Sequence, residues 1–279
     1  MPARKRFGQH WLRSEAILDR IVAAAELQPS DRVLEIGPGR GALTQRLLAA
    51  VNGLVAVELD RDLIGQLQRR FGEAENFCLL EGDFLQLDWA AAIADQPRFA
   101  NPTKVVANIP YNITGPILQS LLGTIAKPRQ PAFERLVLLV QQEVADRLCA
   151  TPGQRAYGAL SVRVQYLADC ERVCAVPPKS FSPPPKVQST VICLKPRPWP
   201  QVCSNPARLA KLLNQGFSAK RKMLRNNLKS LYSSEQIEAA FAAHQIVPEA
   251  RAETLSIDQW IGLCTDLGDP TDSAVDPLA

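Results

Sequence analysis

Between residues 172 and 234 the chain has no aspartate or glutamate, although 28 acidic residues are spread through the rest of its 279. Twelve lysines and arginines fall in that interval, so the remainder carries 20 basic against 28 acidic side chains and the net charge of +4 hides a steep asymmetry. A solvated helix face ordinarily mixes both signs; a one-signed stretch of this length fits a polyanionic partner, whose neutralised phosphates release counterions. Long apolar runs are missing too, with none approaching the roughly 20 residues that cross a membrane as a helix. The basic residues 1–6 lead into Phe7-Gly8-Gln9-His10-Trp11-Leu12 and not into an apolar segment, so they do not read as a secretory signal, and a cytoplasmic location without membrane attachment is expected. Histidine is scarce at two, and the seven cysteines include no Cys-x-x-Cys pair, so zinc ligands are few and no metal is expected. Cys170 and Cys174 read as small buried apolar residues in a reducing compartment. The 46% hydrophobic content is enough for one large domain and one small one.

The most informative stretch present is Val33-Leu34-Glu35-Ile36-Gly37-Pro38-Gly39-Arg40-Gly41-Ala42-Leu43-Thr44, an apolar strand running into three alternating glycines and then a helical pattern. Glycines 37, 39 and 41 free the backbone of Cβ atoms where a strand turns tightly into a helix, so a ligand can lie against bare peptide and the helix N-terminus. A second strand, 54–59, ends in Glu58-Leu59-Asp60, which puts a carboxylate where a ribose diol would be held. The spacing is ambiguous at this point. Gly37, Gly39 and Ala42 also satisfy the G-x-G-x-x-G/A pattern of NAD-binding proteins.

Short apolar runs then alternate with helical periodicity. After Ser14, residues Ile17, Leu18, Ile21, Val22 and Leu27 recur at helical spacing until Pro29. Strands are expected at 32–36, 54–59, 77–80, 104–107 and 136–140, with helices at 41–50, 61–71, 89–94, 114–123 and 141–150. This alternation predicts an α/β fold with a parallel sheet, whose ligands gather beyond the C-terminal strand ends. The glycine loop, Glu81-Gly82-Asp83-Phe84 and Asn108-Ile109-Pro110-Tyr111-Asn112 all follow strands and should line one crevice. A helix at 158–168 precedes two β-rich runs, 172–176 and 189–195, which flank a proline-dense loop whose large apolar group is Phe181. Residues 196–200 read as a linker. Helix starts at Asn205-Pro206, Ser233 and Ser256 follow, the last two with glutamine at capping-box spacing. The expected domains are 1–197 and an all-helical 198–268, with a disordered tail at 269–279.

Asn108-Ile109-Pro110-Tyr111 supplies an amide oxygen, exposed carbonyls, a stiffening proline and an aromatic face, a set suited to a planar ring bearing an amino group. The exocyclic nitrogen of adenine is a poor nucleophile because its lone pair is delocalised. Two acceptors on its hydrogens, the Asn108 side chain and the Ile109 carbonyl, would free that lone pair for in-line attack, so that positioning and electrostatics replace a strong base. Tyr111 and Phe181 are expected to stack on the base once it is turned out of its helix.

Taken together, residues 6–12, 33–44, 57–60, 82–84, 108–114, 181–187 and 217–228 resemble the KsgA-type ribosomal RNA adenine N6,N6-dimethyltransferases, relatives of the erythromycin-resistance rRNA methylases. The resemblance implies a Rossmann-like class I methyltransferase sheet with a small helical C-terminal domain. It also implies S-adenosylmethionine as the methyl donor and two adjacent adenosines in the 3′-terminal hairpin of small-subunit (16S) rRNA, alone or within a pre-30S particle, as the target, with a role in small-subunit biogenesis and a monomer as the expected state. Carried over by position, Gly37 would touch the methionine part of the donor, Glu58 its ribose and Asp83 its adenine, with His10, Leu12 and Asn108 completing the pocket. The family often has Asn-Phe where this chain has His10-Trp11, which favours a main-chain contact at residue 10. RNA docking is expected at Lys220, Arg221, Lys222, Arg225 and Lys229, which have no acidic neighbour in sequence. The rival readings are an NAD-linked dehydrogenase, a non-catalytic RNA-binding or ribosome-assembly factor, and a DNA-adenine methylase. The dehydrogenase explains neither the carboxylate-free stretch nor residues 108–111.

Overall fold

Runs of valine, leucine and isoleucine set the sheet. In a computed structural model that describes residues 10–269, the strands are β1 (Trp11–Leu12), β2 (Arg32–Ile36), β3 (Gly53–Glu58), β4 (Phe77–Glu81), β5 (Lys104–Asn108), β6 (Arg135–Gln141), β7 (Ala168–Val176), β8 (Phe181–Ser182) and β9 (Ser189–Pro196). The basic arm at 4–9 and the tail beyond Asp269 lie outside the described residues. The helices are α1 (Glu15–Ala24), α2 (Ala42–Leu48), α3 (Arg61–Phe71), α4 (Trp89–Ala92), α5 (Thr114–Leu122), α6 (Gln142–Leu148), α7 (Ala159–Leu167), α8 (Pro206–Gly216), α9 (Leu224–Leu228), α10 (Ser234–Ala243) and α11 (Ile257–Leu267). Among the described residues no helix is long and apolar enough to cross a membrane.

Seven strands form one sheet in the order β4-β3-β2-β5-β6-β9-β7. From β4 to β6 every neighbouring pair is parallel. All six residues of β3 are buried, as befits a strand covered on both faces. The five strands expected to be parallel are so, and the later β-rich run joins the same sheet as β9, antiparallel to β6 with Leu136 opposite Leu194 and Gln141 opposite Ser189. The proline loop returns the chain from β7 to its sheet neighbour β9 without an intervening α-helix, while β6 and β9 are separated in sequence by α6, α7 and β7. The pair β1 and β8 forms a separate two-stranded ribbon in which Trp11 faces Ser182 and Leu12 faces Phe181.

The chain packs as two units, and they are interleaved. Of the described residues, one holds those up to 123, 129–145 and 169–196; the other holds 124–128, 146–168 and those from 197 on. A single cut near 198 therefore misplaces residues 146–168, which include α7. Helical periodicity at 159–167 says that one face is buried but not which core receives it. The structure supplies the partners, for Gln165 Nε2 donates to the carbonyls of Leu148 and Ala150 at 2.8 and 2.7 Å, and Arg163 reaches Asn214 on α8.

The helical unit is organised on Trp260, fully buried on α11. A Cβ on Gly216, the last residue of α8, would sit 2.4 Å from its ring, so α8 can approach α11 only with glycine there. Both expected capping boxes are formed: Gln236 N donates to Ser233 Oγ at 3.2 Å and Gln259 N to Ser256 Oγ at 3.1 Å, with the return bonds from each serine N–H at 2.9 and 3.0 Å. Each N-cap is worth about 1 kcal/mol.

Candidate active site

Within the sheet unit, β2 delivers the glycine loop. Gly37, Gly39 and Gly41 have φ of +66°, +59° and +79°. A Cβ on Gly41 would lie 2.4 Å from Phe71 Cε2 of α3, whereas one on Gly37 would meet nothing within 4 Å. The first glycine thus lets helix and loop close up, and the second leaves bare backbone facing open space. At the end of β3, Glu58 is 7% exposed and holds the loop in place. Its Oε2 accepts from Gly39 N at 3.1 Å, and its Oε1 from Leu59 N and Asp60 N at 2.9 and 3.0 Å. Burial pushes the Glu58 carboxyl up from its ordinary value, and these backbone hydrogen bonds oppose that shift.

A cleft of about 280 Å³ opens between these strand ends, lined by His10, Trp11, Gly37, Gly39, Glu58, Asp60, Asp83 and residues 108–113 among others. The structure therefore brings His10, Gly37, Glu58, Asp83 and residues 108–111 to one place. Leu12 is 5% exposed and lines a second hollow of about 630 Å³ beside Trp11, Arg40 and Asn108. Asp83 Oδ1 accepts from Leu85 N at 3.0 Å, which orients its carboxylate at the turn after β4.

At the end of β5 the polar groups are sorted. Asn108 Nδ2 donates to the His10 carbonyl at 3.1 Å, which fixes the orientation of the amide, and no described residue donates to Asn108 Oδ1. Thr114 Oγ1 donates to the carbonyls of Pro110 and Tyr111 at 3.4 and 3.2 Å. The Ile109 carbonyl receives no hydrogen bond from a described residue. Tyr111 is half-buried, its hydroxyl 2.6 Å from Ser189 Oγ of β9; burial raises its phenol pKa and that hydrogen bond opposes the rise. Its ring lies nearly parallel to that of His10, with centroids 6.0 Å apart at 24°.

Phe181 is placed differently from expectation. Its pairing with Leu12 points it into the core, where it is 4% exposed, and it does not line the cleft.

Three residues escaped the sequence reading. Glu35 on β2 is 2% exposed, accepts from Thr44 Oγ1 at 2.7 Å, and has its carboxyl pushed up to about 8 by burial, with the nearby Glu58 charge adding and the Thr44 hydrogen bond opposing. A polar residue inside an apolar strand beside a glycine loop was the available signal. Trp11 lies against the loop, 3.1 Å from where a Gly39 Cβ would be, with the Arg40 guanidinium 3.8 Å from its ring centroid. In the helical unit, buried Asn227 donates through Nδ2 to the carbonyls of Gly216 and Ala219 at 2.6 and 3.2 Å, pinning the turn before the basic cluster.

In that cluster Lys220, Arg221, Lys222 and Lys229 are exposed and Arg225 is partly so. The fold does give Lys220 an acidic neighbour: its Nζ is 3.8 Å from Glu253 and donates to the Arg155 carbonyl at 2.9 Å.

A family model described as ribosomal RNA adenine dimethylase matches residues 1–267. Ribosomal RNA small subunit methyltransferase A of Synechococcus elongatus is 94% identical over 279 residues, covering all of both chains. Its namesake from Thermosynechococcus vestitus is 63% identical over 262 residues, covering 94% of this chain and 95% of the other. Among solved structures, a dimethyladenosine transferase from Plasmodium falciparum superposes with a TM-score of 0.74 at 28% identity, covering 91% of this chain and 96% of that one. The 23S rRNA methyltransferase ErmE gives 0.72 at 26% identity, covering 92% and 99%.

Proposed function

Because the chain belongs to the ribosomal RNA adenine dimethylase family, we propose that its cleft takes methyl groups from S-adenosylmethionine to N6 of two adjacent adenosines in the 3′-terminal hairpin of 16S rRNA, giving N6,N6-dimethyladenosine. Family membership makes the chain an rRNA adenine dimethyltransferase and sets aside the dinucleotide reading of its glycines. The observation that carries the residue assignment is the pair of open acceptors at the end of β5, Asn108 Oδ1 and the Ile109 carbonyl, in the same cleft as Gly37 and Glu58.

The site fits the donor. Gly37 offers backbone facing open space, Glu58 a carboxylate beside it, and Asp83 a second carboxylate at the next strand end. When bound, S-adenosylmethionine supplies an electrophilic methyl group on a sulfonium. The protein's own part is to hold the amino group of the target base. Asn108 Oδ1 and the Ile109 carbonyl accept its two hydrogens, which draws the nitrogen toward tetrahedral geometry and localises its lone pair. Tyr111 gives the base a flat wall held in place by Ser189. Phe181 belongs to the core cluster against which Tyr111 packs and does not stack on the base. Lys220, Arg221, Lys222, Arg225 and Lys229 contribute phosphate contacts, which position the RNA without reading its sequence. A ribosomal substrate places the enzyme in the cytoplasm and gives it a place in small-subunit biogenesis.

The test is methyl transfer from labelled donor to small subunits that lack the modification, followed by mapping of the labelled adenosines. Two adjacent dimethyladenosines in the 3′-terminal hairpin are expected. Stable binding to the subunit without transfer would assign the chain a binding-only role.

A further inference from the structure

The β1–β8 register sets His10 opposite Pro183, one step beyond the pair Trp11 and Ser182. Arg13 N donates to the Ser180 carbonyl at 2.8 Å, and bonded and open rungs alternate along an antiparallel pair, so the rung at His10 and Pro183 is one that main chain does not close. A side chain does it. His10 Nδ1 lies 2.8 Å from the Pro183 carbonyl, and because a carbonyl only accepts, Nδ1 carries the proton and donates. The same residue offers its own carbonyl to Asn108 Nδ2 at 3.1 Å and lays its ring beside Tyr111. His10 is thus joined to the proline loop, to the Asn108 amide and to the aromatic wall.

Building on the adenine-pocket reading above, we propose that His10 is a positioning residue for methyl transfer, its Nδ1–H bond to Pro183 fixing the carbonyl that orients the Asn108 amide. The chemical consequence follows from the two ends of that amide. With Nδ2 held by the His10 carbonyl, Oδ1 is the end left to accept from the target amino group. Once the end of β1 is released, the amide can rotate and present its NH₂ group to another NH₂ group, a donor facing a donor. The nucleophile then loses the acceptor that localises its lone pair, while Gly37, Glu58 and Asp83 are untouched.

The effect belongs in turnover, not in donor affinity, and this separates the proposal from a contact between the imidazole and the donor. His10→Ala is expected to lower single-turnover methylation of unmodified small subunits by about tenfold or more, since small misplacements of reacting groups cost that much. Donor affinity by calorimetry and KM for the subunit are expected to stay within about threefold of wild type. His10→Asn places an N–H on the same atom next to Cγ and is expected to recover most of the lost turnover; His10→Leu, of similar branching but without a donor, is not. The Asn and Leu variants decide the matter even if the Ala variant does not fold. Wild-type turnover in His10→Leu, a parallel fall in donor affinity, or an Asn variant as slow as Leu would each overturn the proposal. Wild-type protein assayed alongside tests the methyltransferase reading itself: if it forms no dimethyladenosine the pocket assignment fails, whereas if it does and the variants match it, only the role of His10 fails.

Discussion

Thr44 Oγ1 donates to Glu35 Oε2 at 2.7 Å in a site where Glu35 is 2% exposed and Thr44 fully buried, so an acid group is enclosed between β2 and the helix that follows the glycine loop. Its carboxyl is pushed from 4.5 to about 8, chiefly by burial, which favours the neutral form. A carboxyl with a raised folded-state pKa binds more protons folded than unfolded between those two values. Its contribution to stability is full below about pH 4.5 and is lost as pH rises through about 8. Glu35→Gln keeps an acceptor for Thr44 and cannot ionise. Thermal unfolding followed from pH 5 to pH 8 should show the variant gaining on wild type as pH rises, by up to a few kcal/mol. A constant difference across that window would mean that Glu35 is ionised in the folded protein.

Glu58 accepts three backbone hydrogen bonds and lines the cleft proposed for the donor. Glu58→Ala is expected to weaken S-adenosylmethionine binding by about tenfold to a hundredfold, from the ~1.5 to 3 kcal/mol of a hydrogen bond to a charged group. Glu58→Gln keeps one acceptor and should fall in between. Calorimetry returning wild-type affinity for the alanine variant would take Glu58 out of the site.

Replacing Lys220, Arg221 and Lys222 by alanine is expected to flatten the plot of log RNA affinity against log salt by about 2 units. Three phosphate contacts would give a value nearer 3, but Lys220 is already engaged with Glu253 and the Arg155 carbonyl. An unaltered slope would reduce the cluster to a solvated surface.

Tyr111 and Phe181 are expected to respond in opposite ways. Tyr111→Ala removes stacking worth about 1 to 3 kcal/mol and should appear as slower transfer with donor affinity unchanged, while Tyr111→Phe, which gives up only the hydroxyl on Ser189, should retain most of the rate. Phe181→Ala empties a buried core position, so the expected loss is stability, about 3 to 5 kcal/mol by calorimetric or denaturant unfolding. A normal melting temperature with abolished transfer for Phe181→Ala would return that ring to the base pocket.

Local rules made much of the fold readable. The range 32–36 was recovered as β2 and 61–71 as α3, because an apolar run ends at Gly37 and because Asp60 caps a helix whose apolar residues repeat at its period. The two Ser-x-x-Gln boxes gave the starts of α10 and α11. The crevice was legible for the same reason, since strand ends in a parallel sheet converge. Long-range placement was not. The direction of β9 depends on how the proline loop returns, α7 joins a core built from residues after 197, and the five-residue α9 is too short to show a period. Phe181 read as a stacking residue because it is the large apolar group of a proline-stiffened loop; only the register with Leu12 shows that it faces inward.

The interleaving of the two units bears on how the protein is made. Synthesis runs from the N-terminus, and domains tend to assemble as their residues emerge. Helix α7 leaves the ribosome before any of α8 to α11, the helices of its own unit, and the sheet still lacks β9 until residue 196 is out. Neither unit can finish by itself in vectorial order: the first waits on strands encoded after α7, and α7 waits on helices encoded after those strands. The nascent chain must therefore carry α7, tied to residues 148 and 150 but still without α8 to α11, through the completion of the sheet. A stop at residue 197 would release a sheet with α7 still lacking those helices, a poor starting point for cutting the protein into separately usable halves.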